Sequence, residues 1–399
     1  MLETPSMAEP RQIAIAGGSI GGLTAGVLLH ELGLDAHIYE RSSAALEARG
    51  AGIVVLPMTE RYFTERGGED DRVSLELPWW KYVDAAGNEL SADLDHFRFS
   101  SWNTVYRALL EAFPSDRYHL GHEMTTFEQT DEAVTVGFAN GTAVEAELLV
   151  CADGVSSTAR RILLPAADPV YAGYVAWRGT AAESDLSATA LEDLAESMLY
   201  QVLSPGHILV YAIPDEDGTI EPGRRLQNFV WYRNYPTGGP FEDLMTDRDG
   251  EQRYSSVPPG LVQVEHLAEM RLAAACLAPT IREVVLASVE PFVQVIFDLE
   301  ATQLVFGRIC LMGDAAFSAR PHVAAGTAKA AADAWALRDA LRDHVDDLNA
   351  ALEIWQRSQL ALGQSVVERS RALGQRSQFE NTMVPGDPTW KFGLIEAGN

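Results

Sequence analysis

The chain begins its regular patterning with a short apolar run at residues 12–16, QIAIA. Apolar positions at helical spacing follow across 21–32, and a second run, DAHIYE, fills 35–40. Short apolar runs bounded by turn signals predict buried strands, and the 3.6-residue period predicts a helix, closed here by Gly33. The result is a strand–helix–strand unit of about 30 residues, the size of a nucleotide-binding βαβ. After it the period drops towards two. Segments 80–91 and 123–147 predict antiparallel hairpins with turns at AAGN (85–88) and ANGT (139–142), and 101–113 between them predicts a helix. Residues 148–152 predict another buried strand. The stretch 171–235 is the most β-like, its apolar runs separated by Pro, Gly and Asp turns such as 214–218. Residues 241–286 are mixed, with two helices around Pro279. Strands are predicted at 293–298 and 304–312, long helices at 325–341 and 348–373, and surface coil in the Pro- and Gly-rich tail.

Length and composition narrow the possibilities. A chain of 399 residues has room for about two to three domains, and 47% apolar content suits a globular protein. The net charge of −27 repels phosphates and anionic membrane surfaces, so neither nucleic acid nor membrane is an expected partner. Cys151, Cys276 and Cys310 are too few and too scattered for a disulfide framework or a zinc site. Each lies in an apolar run and is expected to be a small buried hydrophobe, and no metal is expected. No apolar run reaches about 18 residues, and MLETPSMAEP lacks the regions of a signal peptide. A frayed N-terminus and a soluble, cytoplasmic protein are the expectation.

Three separated motifs carry the chemistry. The first, AIAGGSIGG at 14–22, aligns as Gly17-x-Ser19-x-x-Gly22, with Ser19 where a second glycine is usual. Gly17 permits the tight turn, Gly22 lets helix pack on strand, and a pyrophosphate would sit at the helix start beside Ser19 and Ile20. Glu40, ending the second strand, stands where an acid takes ribose hydroxyls, and Arg41 follows it. Alone, this motif fits NAD as well as FAD. The second, CADGVSSTAR at 151–160, places Asp153 to order a turn through backbone N–H groups and Arg160 to pair with an acid or phosphate. The third, LMGDAAFSARP at 311–321, ends a buried strand in Gly313-Asp314 ahead of a helix starting near Gly326. Asp314 would accept ribityl hydroxyls, and the helix N-terminus would stabilise negative charge on a reduced flavin.

In this order the motifs resemble the class A FAD-dependent aromatic hydroxylases, the para-hydroxybenzoate hydroxylase group, over nearly the whole chain. Within the group the runs YAGYVAWRG, GHILVYAIP and RPHVAAGTAKA resemble the dihydroxypyridine hydroxylase branch. The resemblance implies an α/β fold. A Rossmann-like, glutathione-reductase-type FAD-binding domain (1–80, 101–122, 148–170 and 287–345) is interrupted by a mostly antiparallel sheet domain (81–100, 123–147 and 171–286), and 346–399 forms a C-terminal helix and tail. It further implies FAD contacts from Gly52, Arg107 and Pro321 beside the residues above. Phe317, Ala324 and Ala328 depart from the group's usual histidine, glycine and asparagine, so FAD would be held there more by backbone than by side chain.

The activity implied is hydroxylation of an electron-rich aromatic ring with NADH or NADPH and O2, through a flavin C4a-hydroperoxide. The substrate would be a small (hetero)aromatic such as a dihydroxypyridine. A purine or polycyclic phenol is the alternative substrate, and a non-oxygenase FAD-binding protein is the alternative class. An NAD-dependent dehydrogenase explains the first motif only. A base for the substrate hydroxyl is expected at His322, with His207 second. Arg178, Tyr211 and Trp231 are expected to join His322 in facing the substrate, Lys329 is read as a surface lysine, and a homodimer follows from the group.

Overall fold

The computed structural model describes residues 11–46, 51–65 and 73–394. The expected frayed N-terminus lies outside the described residues. Among the described residues the fold is α/β with three sheets. In the six-stranded sheet the strand Gln12–Ala16 lies between two parallel neighbours, Asp35–Tyr39 and Leu148–Cys151. Leu148–Cys151 in turn pairs in parallel with Ile309–Leu311, so neighbours in this sheet are far apart in the chain. Gln12–Ala16, Leu148–Cys151 and Ile309–Leu311 are nearly pure apolar runs, as strands covered on both faces require, while Asp35–Tyr39 alternates buried and half-buried positions. The expected strand at 304–312 is instead two short ones, Val305–Phe306 and Ile309–Leu311, folded back at Gly307 with φ +63°.

The three-stranded sheet Met124–Gln129, Val134–Phe138 and Ala143–Ala146 carries one strand more than the hairpin expected. Its Met124, Val136 and Phe138 share one core with Ile15, Leu28 and Trp335 of the nucleotide-binding layer. Residues 123–147 therefore pack with that layer and not with the large sheet, because their apolar face has no other surface to cover.

The large sheet holds the remaining strands, including Gly52–Val55, Leu75–Val83, Val170–Ala182, His207–Ile213 and Leu226–Asn234. Both of its faces are buried. Tyr174, Ala176, Leu209, Tyr211, Val230 and Tyr232 face one core. Trp177, Ile208, Phe229 and Trp231 face another, closed by helices Val264–Ala273 and Pro279–Ala287. Pro279 opens its helix, where a missing N–H costs nothing. A helix the β-like pattern hides, Ala188–Leu194, caps itself through Ser187. Cys151 and Cys310 are buried as expected, but Cys276 is exposed, since it ends a short helical turn at the surface.

The tail is not surface coil. It continues through Arg376–Glu380 and Pro388–Trp390, and Trp390 is only 2% exposed. Pro and Gly signal chain direction, not burial.

Candidate active site

Three cavities of about 240, 130 and 330 Å³ run end to end between the nucleotide sheet and the large sheet. The first and second share Ser19 and Gly154; the second and third share Asp314 and Gly326. Trp102 borders all three.

The first end is built from backbone. Gly17 has φ +104°, and a Cβ there would meet the Ala152 carbonyl at 2.3 Å. A Cβ on Gly22 would lie 1.9 Å from the Gly17 oxygen. Ser19 caps the helix Ile20–Glu31 without a side-chain hydrogen bond, which leaves its hydroxyl for a ligand. Glu40 Oε2 accepts from Gly18 N at 2.8 Å and Oε1 from Ser42 N at 2.9 Å, so this acid also fixes the glycine turn. Arg41 borders the same cavity from the surface. Asp153 Oδ2 accepts from Thr158 N (2.8 Å) and Ala159 N (3.3 Å), as its position predicts, while Oδ1 is buried without a partner beside the cavity. An orphaned acceptor and a cradle that a single Cβ would fill suit a dinucleotide.

Two arginines act differently from expectation. Arg160 is 1% exposed and donates to the carbonyls of Ala167, Ala315 and Val155. It ties the second motif to the third and borders none of the three cavities. Arg107 lies on the flank of Trp102–Ala112 away from the buried face of Val105, Tyr106 and Leu109. It donates to the Glu216 carbonyl at 2.6 Å and borders none of the three cavities.

In the middle, Asp314 and the start of the helix Gly326–Asp343 line both adjoining cavities. Asp314 is exposed, and it borders the cleft. Burial by the surrounding protein holds its carboxyl above the ordinary range, Lys329 draws it back, and Asp333 adds to the rise. Water in the open cleft limits that rise. Lys329 is not at the surface. It is 4% exposed, bonds both oxygens of Asp333 (2.8 and 2.7 Å), and sets its Nζ 4.8 Å from the Phe317 ring. Asp333 Oδ2 also accepts from Gly313 N at 2.8 Å, which fixes the turn ahead of Asp314. Ala324, where a glycine is usual, keeps the left-handed conformation at φ +52°.

The far end is built from side chains. Strand register aligns His207 with Tyr232, Leu209 with Val230 and Tyr211 with Asn228, all on the cavity face. Trp231 lies between them in sequence and therefore points to the opposite core, opposite Trp177. Tyr232 holds the cavity position expected for it. Arg178 donates to the Gln294 side chain (3.1 Å) and to the Gly52 carbonyl, and its Nε has no partner. Gly52 N donates to Asn228 Oδ1 at 2.9 Å, and a Cβ on Gly52 would lie 2.7 Å from Tyr211 and Asn228. Asn228 and Trp102 carry no motif signal, and only the register and the three-cavity junction reveal them.

Pro321 starts the turn Pro321–Val323 and borders the cavity with His322. His322 Nε2 and the Tyr174 hydroxyl are 2.6 Å apart, and Nδ1 is buried without a partner. Burial, then the charge of Arg320, pushes the His322 imidazole down to about 3. His207 Nδ1 bonds Ser377 Oγ at 2.6 Å, and burial and its neighbour His322 hold it well below the usual histidine range. The two rings lie 5.1 Å apart. Both are neutral at neutral pH.

Among the described residues no helix is long and apolar enough to cross a membrane. A sequence-family model described as FAD binding domain-like matches residues 171–298. The chain is 36% identical over 385 residues to a 2,6-dihydroxypyridine 3-monooxygenase of Paenarthrobacter nicotinovorans, covering 96% of each chain. A solved 2,6-dihydroxypyridine-3-hydroxylase from Arthrobacter nicotinovorans superposes with TM-score 0.91 at 34% identity, covering 98% of each chain. Klebsiella pneumoniae HpxO complexed with FAD and uric acid shares the fold, with TM-score 0.76 at 24% identity over 93% of this chain and 90% of that one. With motifs, fold and relatives in agreement, this chain belongs to the class A FAD-dependent aromatic monooxygenases, the flavin hydroxylases grouped around para-hydroxybenzoate hydroxylase.

Proposed function

We propose that the chain hydroxylates a single electron-rich hydroxylated heteroaromatic ring, a dihydroxypyridine being the nearest match, with NADH or NADPH and O2. The observation that carries this reading is the small side-chain-built cavity at the Asp314–Gly326 end of the cleft, where His322 presents a buried, unpartnered Nδ1. The 36% identical dihydroxypyridine monooxygenase supports the choice of ring. Bound FAD supplies the electrons taken from NAD(P)H and the activation of O2. Gly17, Ser19, Gly22, Glu40 and Asp153 would hold its adenosine diphosphate part, and Asp314, Pro321 and Gly326 its ribityl and ring end. The same reading takes the nucleotide sheet and its helices as the FAD-binding part and the large sheet as the substrate part. A cytoplasmic homodimer completes it, with NAD(P)H drawn from the cytoplasm.

His322 serves in this reading as a hydrogen-bond donor, which refines the expectation of a base. Asp298 bonds Arg320 at 2.9 and 2.7 Å. The Arg320 charge acts on the Tyr174 hydroxyl. A hydroxyl beside a cation turns its oxygen to the charge and its hydrogen away, here to His322 Nε2. The neutral imidazole then carries its proton on Nδ1, facing the cavity. That N–H would hold a ring hydroxylate, and Arg178 would favour the anion over the neutral phenol form. A ring hydroxylate pushes electron density onto the carbon that takes the oxygen. Leu209, Val230 and Tyr232 line the cavity and exclude water from the reacting ring.

The test is NADH and NADPH oxidation by FAD-loaded protein with dihydroxypyridines, phenols and purines, products followed by mass. A dihydroxypyridine should stimulate oxidation and gain one oxygen atom. Stimulation by purines or phenols alone would overturn the ring assignment, and no stimulation by any ring would overturn the one-ring reading.

A further inference from the structure

We infer that Phe392 is a specificity-determining residue: it forms the wall of the cavity that limits the substrate to one ring. This rests on reading the 330 Å³ cavity as the substrate site. Phe392 borders that cavity together with His207, Tyr232 and His322, although it lies far along the chain from all three. Its ring packs on Trp80 at 4.6 Å and on Phe97 at 5.1 Å, so one face is fixed by the large sheet while the residue also borders the cavity.

The segment that carries it is fastened on several sides. Gly393 N donates to the Val323 carbonyl at 3.0 Å, next to His322 itself. Arg369, from the helix Leu348–Gln375, donates to the carbonyls of Gly393 (3.1 Å) and Lys391. Arg376 donates to Thr389 Oγ1 at 2.8 Å and to Asp387 Oδ2 at 2.5 Å. Trp390 is buried edge-on to the His207 ring (5.9 Å, 74°) and the His322 ring (6.1 Å, 82°). Lys391 Nζ reaches Asp95 at 3.2 Å. These bonds make residues 387–393 a fixed part of the site, and a fixed wall discriminates by size where a mobile one would yield. Pockets with room for one small aromatic ring lie at the low end of ligand-site volumes, and loss of one phenyl ring from the wall opens space for a fused second ring.

Holoenzyme is titrated with 2,6-dihydroxypyridine and with 2,4-dihydroxyquinoline, and binding is read from the perturbation of flavin absorbance. Wild type is expected to bind the pyridine and to discriminate against the quinoline. Phe392→Ala should bind the quinoline roughly tenfold tighter than wild type does, and the pyridine roughly tenfold more weakly. An unchanged ratio of the two affinities in Phe392→Ala overturns the inference. Should wild type bind neither ring, the dihydroxypyridine assignment fails. The size inference is then decided by whether Phe392→Ala admits the quinoline. If that variant does not retain FAD, Phe392→Trp carries the test. A bulkier wall should weaken the pyridine at least tenfold with FAD still bound, and wild-type affinity there overturns the inference.

Discussion

The two ends of the cleft are built from different material. At the end lined by Gly17 and Ser19, glycines and main-chain N–H groups set the shape, and Glu40 and Asp153 bond that main chain. At the ring end, side chains from strands distant in sequence, a turn and a tail segment set it. A site made of backbone tolerates few residue types but keeps one ligand across many relatives. A site made of side chains changes its ligand by substitution without disturbing the fold. Substitutions should therefore separate the two ends cleanly.

The largest effect is expected at the join. Lys329→Met strands the buried Asp333 carboxylate, and losing one partner of such a pair costs about 3–5 kcal/mol. Burial already raises the Asp333 carboxyl, and Lys329 is the main force opposing that rise. Without Lys329 the folded-state value climbs further above the unfolded one. The deficit is then largest at neutral pH and shrinks as pH falls and Asp333 takes up a proton. Thermal melts of wild type and Lys329→Met at pH 8 and pH 5 should show the larger gap at pH 8; an equal gap removes the ion pair as its cause.

His322→Ala should lower kcat by about 10²–10³-fold, as the loss of one aimed donor does, while FAD affinity stays within about twofold of wild type. Loss of FAD from this variant would break the division between the two ends. Gly22→Ala should do the reverse. Its methyl would sit 1.9 Å from a backbone oxygen, and relieving that contact should weaken FAD by about a hundredfold, read by flavin fluorescence. Retention of FAD at wild-type affinity would show that the cradle is looser than its geometry. The smallest effect is expected at Ala324→Gly. The left-handed conformation of Ala324 favours glycine, and the exchange should add about 0.5–1 kcal/mol in a denaturant melt.

The same contrast explains what the sequence revealed. Gly17, Gly22 and Asp153 fall within short motifs and Glu40 ends the strand that follows the first, so spacing alone picks them out as candidates. Trp231 and Tyr232 could not be told apart because both faces of Leu226–Asn234 are buried, and a strand apolar on both faces carries no phase. Lys329 looked like a surface lysine because helical spacing does not show a partner one turn on in a buried layer. Asn228 comes beneath the cavity-lining Gly52 only through register, and Phe392 reaches the cavity only through tail packing. Arg107 carried the signal of a motif yet bonds elsewhere, since a helix flank is decided by what packs against it.

The parallel pairing of Val150 with Cys310 has a kinetic meaning. Most of the large sheet, from Val170–Ala182 to Phe292–Glu300, is threaded between two strands that must lie side by side before the cleft exists. Closing so long a loop is entropically costly and makes the fold one of high contact order, which slows folding. The cleft is then among the last features to assemble, and flavin captured at that moment would draw the final step forward by mass action.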